Sequence, residues 1–209
     1  MLLVFASRNT GKIKELRHAL RDLPFDVKSA TDFPAMPEVA ETGATLAENA
    51  QLKARAVQAL AGGIALADDT GLEVDALGGA PGVQSARFAG PEQDPVRNMT
   101  RLLERLAGVP AEQRSARFRT VIAIRFPGGD EELAEGVCEG QILAAPRGEG
   151  GFGYDPVFYV PEQGRTFAEM PLAEKDRLSH RGRAMRAARR ILGAYLGQKQ
   201  NNRAREAGS

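Results

Sequence analysis

Two adjacent aspartates, Asp68 and Asp69, follow the apolar run Ile64-Ala65-Leu66-Ala67 and precede Thr70-Gly71. The run reads as a short buried strand ending at the acidic pair, and the ends of strands are where α/β proteins place ligands. Successive strand side chains point to opposite faces, so the two carboxylates are expected to do different jobs. One would hold a metal or activate water, and the other would orient a lysine or cap a turn. Asp-Asp-Thr-Gly is also ordinary turn chemistry. Glu41, in Glu41-Thr42-Gly43, precedes a helix and could bring a second carboxylate to Asp69, a pairing that suits Mg²⁺ completed by water and phosphate oxygens. Taken alone, it is equally a surface glutamate. Asn49 and Lys53 are four apart on that helix and share a face, so both could reach the same place.

A second candidate is Ser7-Arg8-Asn9-Thr10-Gly11-Lys12, between a strand and a helix. Its backbone N–H groups, the helix N-terminus and the Lys12 ammonium suit phosphate; the bland alternative is a turn with a solvated lysine. It is not a Walker loop, because Ala6 stands where glycine is needed and Ile13 where Ser or Thr is needed. Gly148-Glu149-Gly150-Gly151-Phe152-Gly153 matches G-x-G-x-x-G, but a strand rather than a helix follows Tyr154-Asp155-Pro156, so a dinucleotide site is excluded. What remains is a loop delivering Phe152, Tyr154 and Asp155 to one place, where a purine could stack; core packing of Phe152 is the alternative. Ser179-His180-Arg181, preceded by Lys175, opens the last helix and could bind phosphate or a base carbonyl. Arg183, Arg186, Arg189 and Arg190 read as a solvated face. Cys138 falls in a strand pattern and reads as packing.

These residues need elements to position them. Leu2 to Ala6 is a strand, and Ile13, Leu16, Leu20 and Leu23 recur at helical spacing. Thr45-Leu46-Ala47-Glu48 is a capping box for a helix over 45–61 that stops at Gly62-Gly63. Leu72 to Leu77 reads as another short strand. Asp94-Pro95 opens a helix with Val96, Met99, Leu102, Leu103 and Leu106 facing one way. The residues from Ala116 to Phe126 alternate, turn at Pro127-Gly128-Gly129-Asp130, and return over Glu132 to Leu143 as an antiparallel partner. Val157 to Val160 is strand-like, and Ser179 to Leu196 a helix. Residues 197–209 are polar without periodicity and are expected to be a disordered tail. The fold class is α/β on a mixed sheet.

Balanced charge, 28 Lys+Arg against 27 Asp+Glu, argues against a nucleic-acid binder. One cysteine and two histidines exclude a disulfide framework and a Cys/His zinc site, so any metal must be held by oxygen. No apolar run reaches membrane-spanning length and Met1 to Ala6 is no signal peptide, so a cytoplasmic location without membrane attachment is expected.

The order of these blocks, with Glu48-Asn49-Ala50, Lys53-Ala54-Arg55, Gly78-Gly79-Ala80-Pro81-Gly82, Ser85-Ala86-Arg87 and Ser179-His180-Arg181-Gly182, closely resembles the inosine triphosphate pyrophosphatase family. These are the noncanonical purine nucleoside triphosphate pyrophosphatases. The resemblance covers residues 1–196, read as a single two-lobed domain. It implies an elongated fold whose long mixed sheet floors a central cleft, usually in a homodimer. It further implies Mg²⁺-dependent hydrolysis of dITP, ITP and XTP between the α and β phosphates, giving a monophosphate and pyrophosphate. By matching motif, Ser7, Arg8, Asn9, Thr10, Gly11 and Lys12 bind triphosphate, and Glu41 and Asp69 hold Mg²⁺. Asp69 also accepts the proton of the attacking water. Thr70, Phe152, Gly153, Tyr154, Asp155, Lys175, His180 and Arg181 match substrate-binding positions, with Lys53 and Asp68 as supporting residues. Arg8 occupies a variable slot. The rival readings are a Maf-type nucleotide pyrophosphatase of other base preference and a non-enzymatic nucleotide- or RNA-binding protein.

Overall fold

The computed structural model describes residues 1–36 and 39–207. β1 (Leu2–Phe5), α1 (Thr10–Leu20) and β2 (Asp26–Ser29) open the chain, followed by α2 (Leu46–Ala61) and β3 (Ile64–Val74). β1 lies between β2 and β3 and is parallel to both. Beyond β3 the sheet turns antiparallel. A short β4 (Pro81–Gly82), α3 (Pro95–Arg105), β5 (Ser115–Arg125) and β6 (Glu131–Ile142) lead to β7 (Phe158–Val160) and β8 (Arg165–Thr166), and α4 (Leu172–Leu178) and α5 (His180–Ala207) close the chain. The sheet order is β2-β1-β3-β5-β6-β7-β8, with β4 against β3.

Local chemistry sets the helix starts. Asn9 Oδ1 accepts from the Lys12 amide at 3.1 Å to cap α1. Thr45 and Glu48 form the expected capping box on α2, and Asp94 caps α3 with Pro95 at the first helical position. Each such cap contributes about 1 kcal/mol. Ser179 Oγ accepts from the Gly182 amide at 3.1 Å and fixes where α5 begins.

Side-chain alternation along β3 and β5 sorts the packing. On one face Ile64, Leu66, Ile122 and Ile124 meet α1 and α5 in a first core with Leu16, Leu20 and Met185. Further along the strands, Leu72, Ala116 and Phe118 join α3 and the β7 region in a second core. Between the two, Thr70, Thr120 and Gly136 lie in register across three strands. This row of small and polar residues interrupts the apolar surface and divides the fold into two lobes on one sheet. Ala67, Val121 and Ala123 face the other way, under α2.

Three expectations need correction. Asp68 and Asp69 do not end a strand: β3 is one continuous strand of 11 residues, paired with β5 from Ala65 to Val74. Ladder bonds to β5 and lysine partners for both carboxylates override the local turn chemistry. Val96 does not share the buried side of α3; it is 65% exposed, in the capped first turn. Nor do residues 197–207 form a disordered tail, because α5 continues through them to Ala207. Gln, Lys, Arg, Ala and Glu outnumber the weaker helix formers Gly197, Asn201 and Asn202 there and no proline intervenes, so the helix propagates without apolar periodicity.

Candidate active site

β1 pairs with β3 only as far as Leu66, and β4 joins the same edge of β3 only at Leu72. Among the described residues, no strand therefore pairs with Ala67 to Gly71 on that side. Asp68, Asp69 and Thr70 stand at this gap. A side chain at Gly71 would run into the Gly82 carbonyl, so the gap closes tightly at its far end.

Asp68 faces α1 and α5. Its Oδ2 lies 2.7 Å from Lys12 Nζ. Burial opposes its ionisation, but Lys12, Arg181 and Lys53 together hold its pKa below the ordinary value. Asp69 faces α2, where Lys53 Nζ donates to its Oδ1 at 2.9 Å and Asn49 Nδ2 to its Oδ2 at 3.3 Å. Burial pushes the Asp69 carboxyl up, Lys53 works against that, and the Glu41 carboxylate adds to the rise. The alternation expected of the pair is thus present, with a different environment for each.

Glu41 sits beside Asp69. Its Oε1 accepts from the same Lys53 Nζ at 3.1 Å. Burial disfavours its charge, but Lys53 and Arg87 outweigh burial and keep it ionised. Two carboxylates converging on one ammonium can also converge on a metal ion. No group of three or more Asp, Glu, His or Cys side chains with metal-binding geometry occurs among the described residues. Mg²⁺ does not require one, since one or two carboxylates with substrate phosphates suffice.

A cleft of about 600 Å³ opens over the Thr70 row. Lys12, Thr70, Phe152 to Asp155, Lys175, His180 and Arg181 all line it. Thr70 Oγ1 is hydrogen-bonded to Thr120 Oγ1 at 2.7 Å. The His180 ring stacks on Phe118, with centroids 4.6 Å apart and planes at 19°. Opposite them the Phe152 ring, 63% exposed, carries Lys175 Nζ at 5.0 Å and Arg181 Cζ at 5.7 Å. His180 Nδ1 and Arg181 Nε are buried without a hydrogen-bond partner, the two such side-chain atoms among the described residues. Leaving such groups unpaired costs about 1–3 kcal/mol each. Burial, with Arg181, Lys175 and Lys12 nearby, keeps His180 well below its ordinary pKa, so it is neutral at physiological pH.

Not every expected residue serves the cleft directly. Tyr154 offers no stacking face: its ring packs in the second core and its hydroxyl donates to the Ser85 carbonyl at 2.8 Å. Asp155 works inside the loop, accepting from the Phe152 amide at 2.8 Å and from Lys175 Nζ at 2.5 Å, and so shapes the loop and aims the lysine. Arg8 turns away to the Met36 carbonyl, at 2.9 Å. Ser7, Asn9, Thr10 and Gly11 lie at the end of β1 and start of α1, outside the cleft lining, as do Glu41, Lys53, Asp68 and Asp69. Cys138 is buried in the second core with its thiol pushed up to about 11, unsuited to nucleophilic work.

Sequence reasoning missed Glu15, which lines the cleft 3.7 Å from Arg181. Its spacing of three from Lys12 on α1 was the available signal. It also missed Gly136, where a Cβ would overlap the His180 carbonyl and the Ala184 amide; α5 can begin against the sheet because that position is bare.

Lys12, Lys53, Arg87, Lys175 and Arg181 are each paired with a carboxylate, from Asp68, Asp69, Glu41, Asp155 and Glu15, and Asp176 adds a further acid to the cleft lining.

Comparison with known proteins agrees with this architecture. The Ham1 family matches residues 3–191. A protein of Desulforamulus reducens named dITP/XTP pyrophosphatase is 54% identical over 192 residues, covering 92% of this chain and 96% of its own length. One of the same name from Thermus thermophilus is 54% identical over 196 residues, covering 93% and 92%. Among solved structures, a HAM1 protein from Coxiella burnetii has a TM-score of 0.88 at 41% identity, over 93% of this chain and 99% of that one. The Ham1 protein of Staphylococcus aureus has a TM-score of 0.86 at 37% identity, over 93% and 100%. The match runs through both cores and the cleft between them, and this chain belongs to the Ham1 family.

Proposed function

We propose that this chain hydrolyses noncanonical purine nucleoside triphosphates, dITP, ITP and XTP, to the monophosphate and pyrophosphate, and so clears them from the nucleotide pool. The names of its relatives support the substrate class. The observation that carries the reading is the interrupted edge of β3, where an aromatic cleft over Thr70 lies next to Asp69 and its centre of two carboxylates and a lysine.

The purine enters between Phe152 and the His180–Phe118 stack, and the His180-Arg181 segment meets its 6-oxo edge. Adenine presents an amino donor there and is disfavoured. Lys12 and the start of α1 hold the phosphates as they cross the gap. Glu41 and Asp69 hold Mg²⁺, which when bound supplies charge neutralisation for the anhydride and the departing pyrophosphate. Asp69, whose carboxyl burial has made more basic, accepts the proton of the attacking water, and Lys53 stabilises the resulting charge distribution. Asp68 stays ionised and fixes Lys12.

We take residues 1–196 as the catalytic unit, acting as a homodimer in the cytoplasm; no described helix is long and apolar enough to cross a membrane. A panel of ITP, XTP and dITP against ATP, GTP, dTTP and UTP, with monophosphate and pyrophosphate measured together, tests the proposal. Preference for the first three supports it, and preference for dTTP or UTP would indicate a Maf-type activity instead.

A further inference from the structure

The 3-10 turn Ser85–Arg87 has contacts in both halves of the site. Ser85 and Ala86 line the cleft, and the Ser85 carbonyl receives the Tyr154 hydroxyl. Ser85 Oγ ties the turn to the gap in the sheet, accepting from the Leu72 amide at 2.8 Å and donating to the Gly82 carbonyl at 2.6 Å. Two residues on, Arg87 reaches the other half. Its Nη1 donates to Glu41 Oε2 at 2.9 Å and its Nη2 to the Glu41 carbonyl at 3.4 Å, while Nε is held by Gln84 Oε1 at 2.7 Å.

Glu41 belongs to a stretch with neither helix nor strand. The loop is fastened after Glu41 by Asn49 Oδ1 on the Gly43 amide and Glu48 Oε2 on the Ala44 amide, at 2.7 and 2.6 Å. At Glu41 itself, Lys53 touches only a carboxylate oxygen, whereas Arg87 grips side chain and main chain together. A planar guanidinium with several donors can fix the direction of a carboxylate in a way one ammonium cannot.

We propose that Arg87 is a positioning residue for the metal half of the site, holding Glu41 so that its carboxylate converges with that of Asp69. This rests on the reading of Glu41 and Asp69 as the metal-holding pair. The sign of one measurement separates positioning from mere proximity. A positive charge that only sits nearby repels a divalent cation, and its removal would tighten cation binding. A group that orients the ligand does the opposite, and losing such an outer partner weakens binding by about tenfold or more.

The test is Mn²⁺ titration of the full chain, free of nucleotide, followed by electron paramagnetic resonance, for the wild type, Arg87→Ala, Arg87→Lys and Glu41→Gln. The expected result is about tenfold weaker Mn²⁺ binding in Arg87→Ala, an intermediate value in Arg87→Lys and near-complete loss in Glu41→Gln. Unchanged or tighter binding in Arg87→Ala, with Glu41→Gln still impaired, would overturn the role of Arg87 alone. Wild-type binding in Glu41→Gln would overturn the metal reading beneath it. Metal-free affinity for inosine monophosphate should stay unchanged in Arg87→Ala, and an equal loss there would overturn the proposal in favour of general disruption of the turn. Should Arg87→Ala fail to fold, Arg87→Gln, which keeps length and one donor, is read by the same criteria.

Discussion

Asp68 and Asp69 are neighbours on β3, yet their carboxylates are bound to lysines on opposite faces of the sheet, Lys12 at 2.7 Å and Lys53 at 2.9 Å. The peptide between them spans the sheet at its gap. The two lysine–aspartate pairs differ: the Asp68 carboxyl is held below its ordinary pKa and the Asp69 carboxyl is pushed above it by burial. In the proposed mechanism that difference separates the work of the two acids.

The Lys12–Asp68 pair should show the asymmetry of buried ion pairs. Lys12→Met leaves the Asp68 carboxylate buried without its nearest counter-charge and should cost about 3 kcal/mol in urea unfolding. Lys12→Met combined with Asp68→Asn should regain most of that stability while remaining inactive. A single substitution that costs nothing would show that Arg181 and water already satisfy Asp68.

His180 sets a pH dependence of stability. Its folded pKa lies well below 6.5, because burial and the cations Arg181, Lys175 and Lys12 oppose a further positive charge. Below about pH 6.5 the unfolded chain binds this proton and the folded chain does not. The stability from keeping His180 neutral is therefore complete above that pH and is lost as the pH falls toward the depressed folded value. Between about pH 7 and pH 5 the melting temperature of His180→Gln should fall less steeply than that of the wild type. Parallel slopes would contradict the assignment.

Base selection should depend on His180 and Arg181. Replacing both His180 and Arg181 with Ala should lower kcat/KM for ITP by about tenfold or more and leave the value for ATP little changed, so that the preference relaxes. Unchanged discrimination would remove these two residues from the base-reading role.

Two glycines should respond with opposite signs. Gly136→Ala forces β6 against the first turn of α5, where His180 sits, and should destabilise by about 2 kcal/mol or more and reduce activity. Gly193→Ala, on α5 with open space around its position, should stabilise by about 0.5–1 kcal/mol through helix propensity and leave activity alone. Differential scanning calorimetry and a turnover assay distinguish them.

What could be read before the structure, and what could not, follows physical lines. The Thr45 capping box, the Asp94-Pro95 helix start and the alternating β5–β6 hairpin are local signals, and all three stand in the structure. Lys12, Thr70, Phe152, Lys175, His180 and Arg181, singled out from separate segments, line one cleft. The continuity of β3 through Asp68-Asp69-Thr70-Gly71 was hidden, because ten residues of pairing with β5 outweigh a local turn preference only once β5 is in place. The burial of Tyr154, the link from Arg87 to Glu41 and the bare contact at Gly136 arise between segments distant in sequence, where no local spacing announces them.

The most direct test of the central claim is ³¹P NMR of ITP turnover with Mg²⁺, run side by side for the wild type and Asp69→Asn. The account predicts inosine monophosphate and pyrophosphate in equal amounts from the wild type, with the rate in Asp69→Asn reduced at least about a hundredfold, as expected for loss of a general base. Inosine diphosphate with orthophosphate as products, or an Asp69→Asn rate equal to that of the wild type, would contradict it.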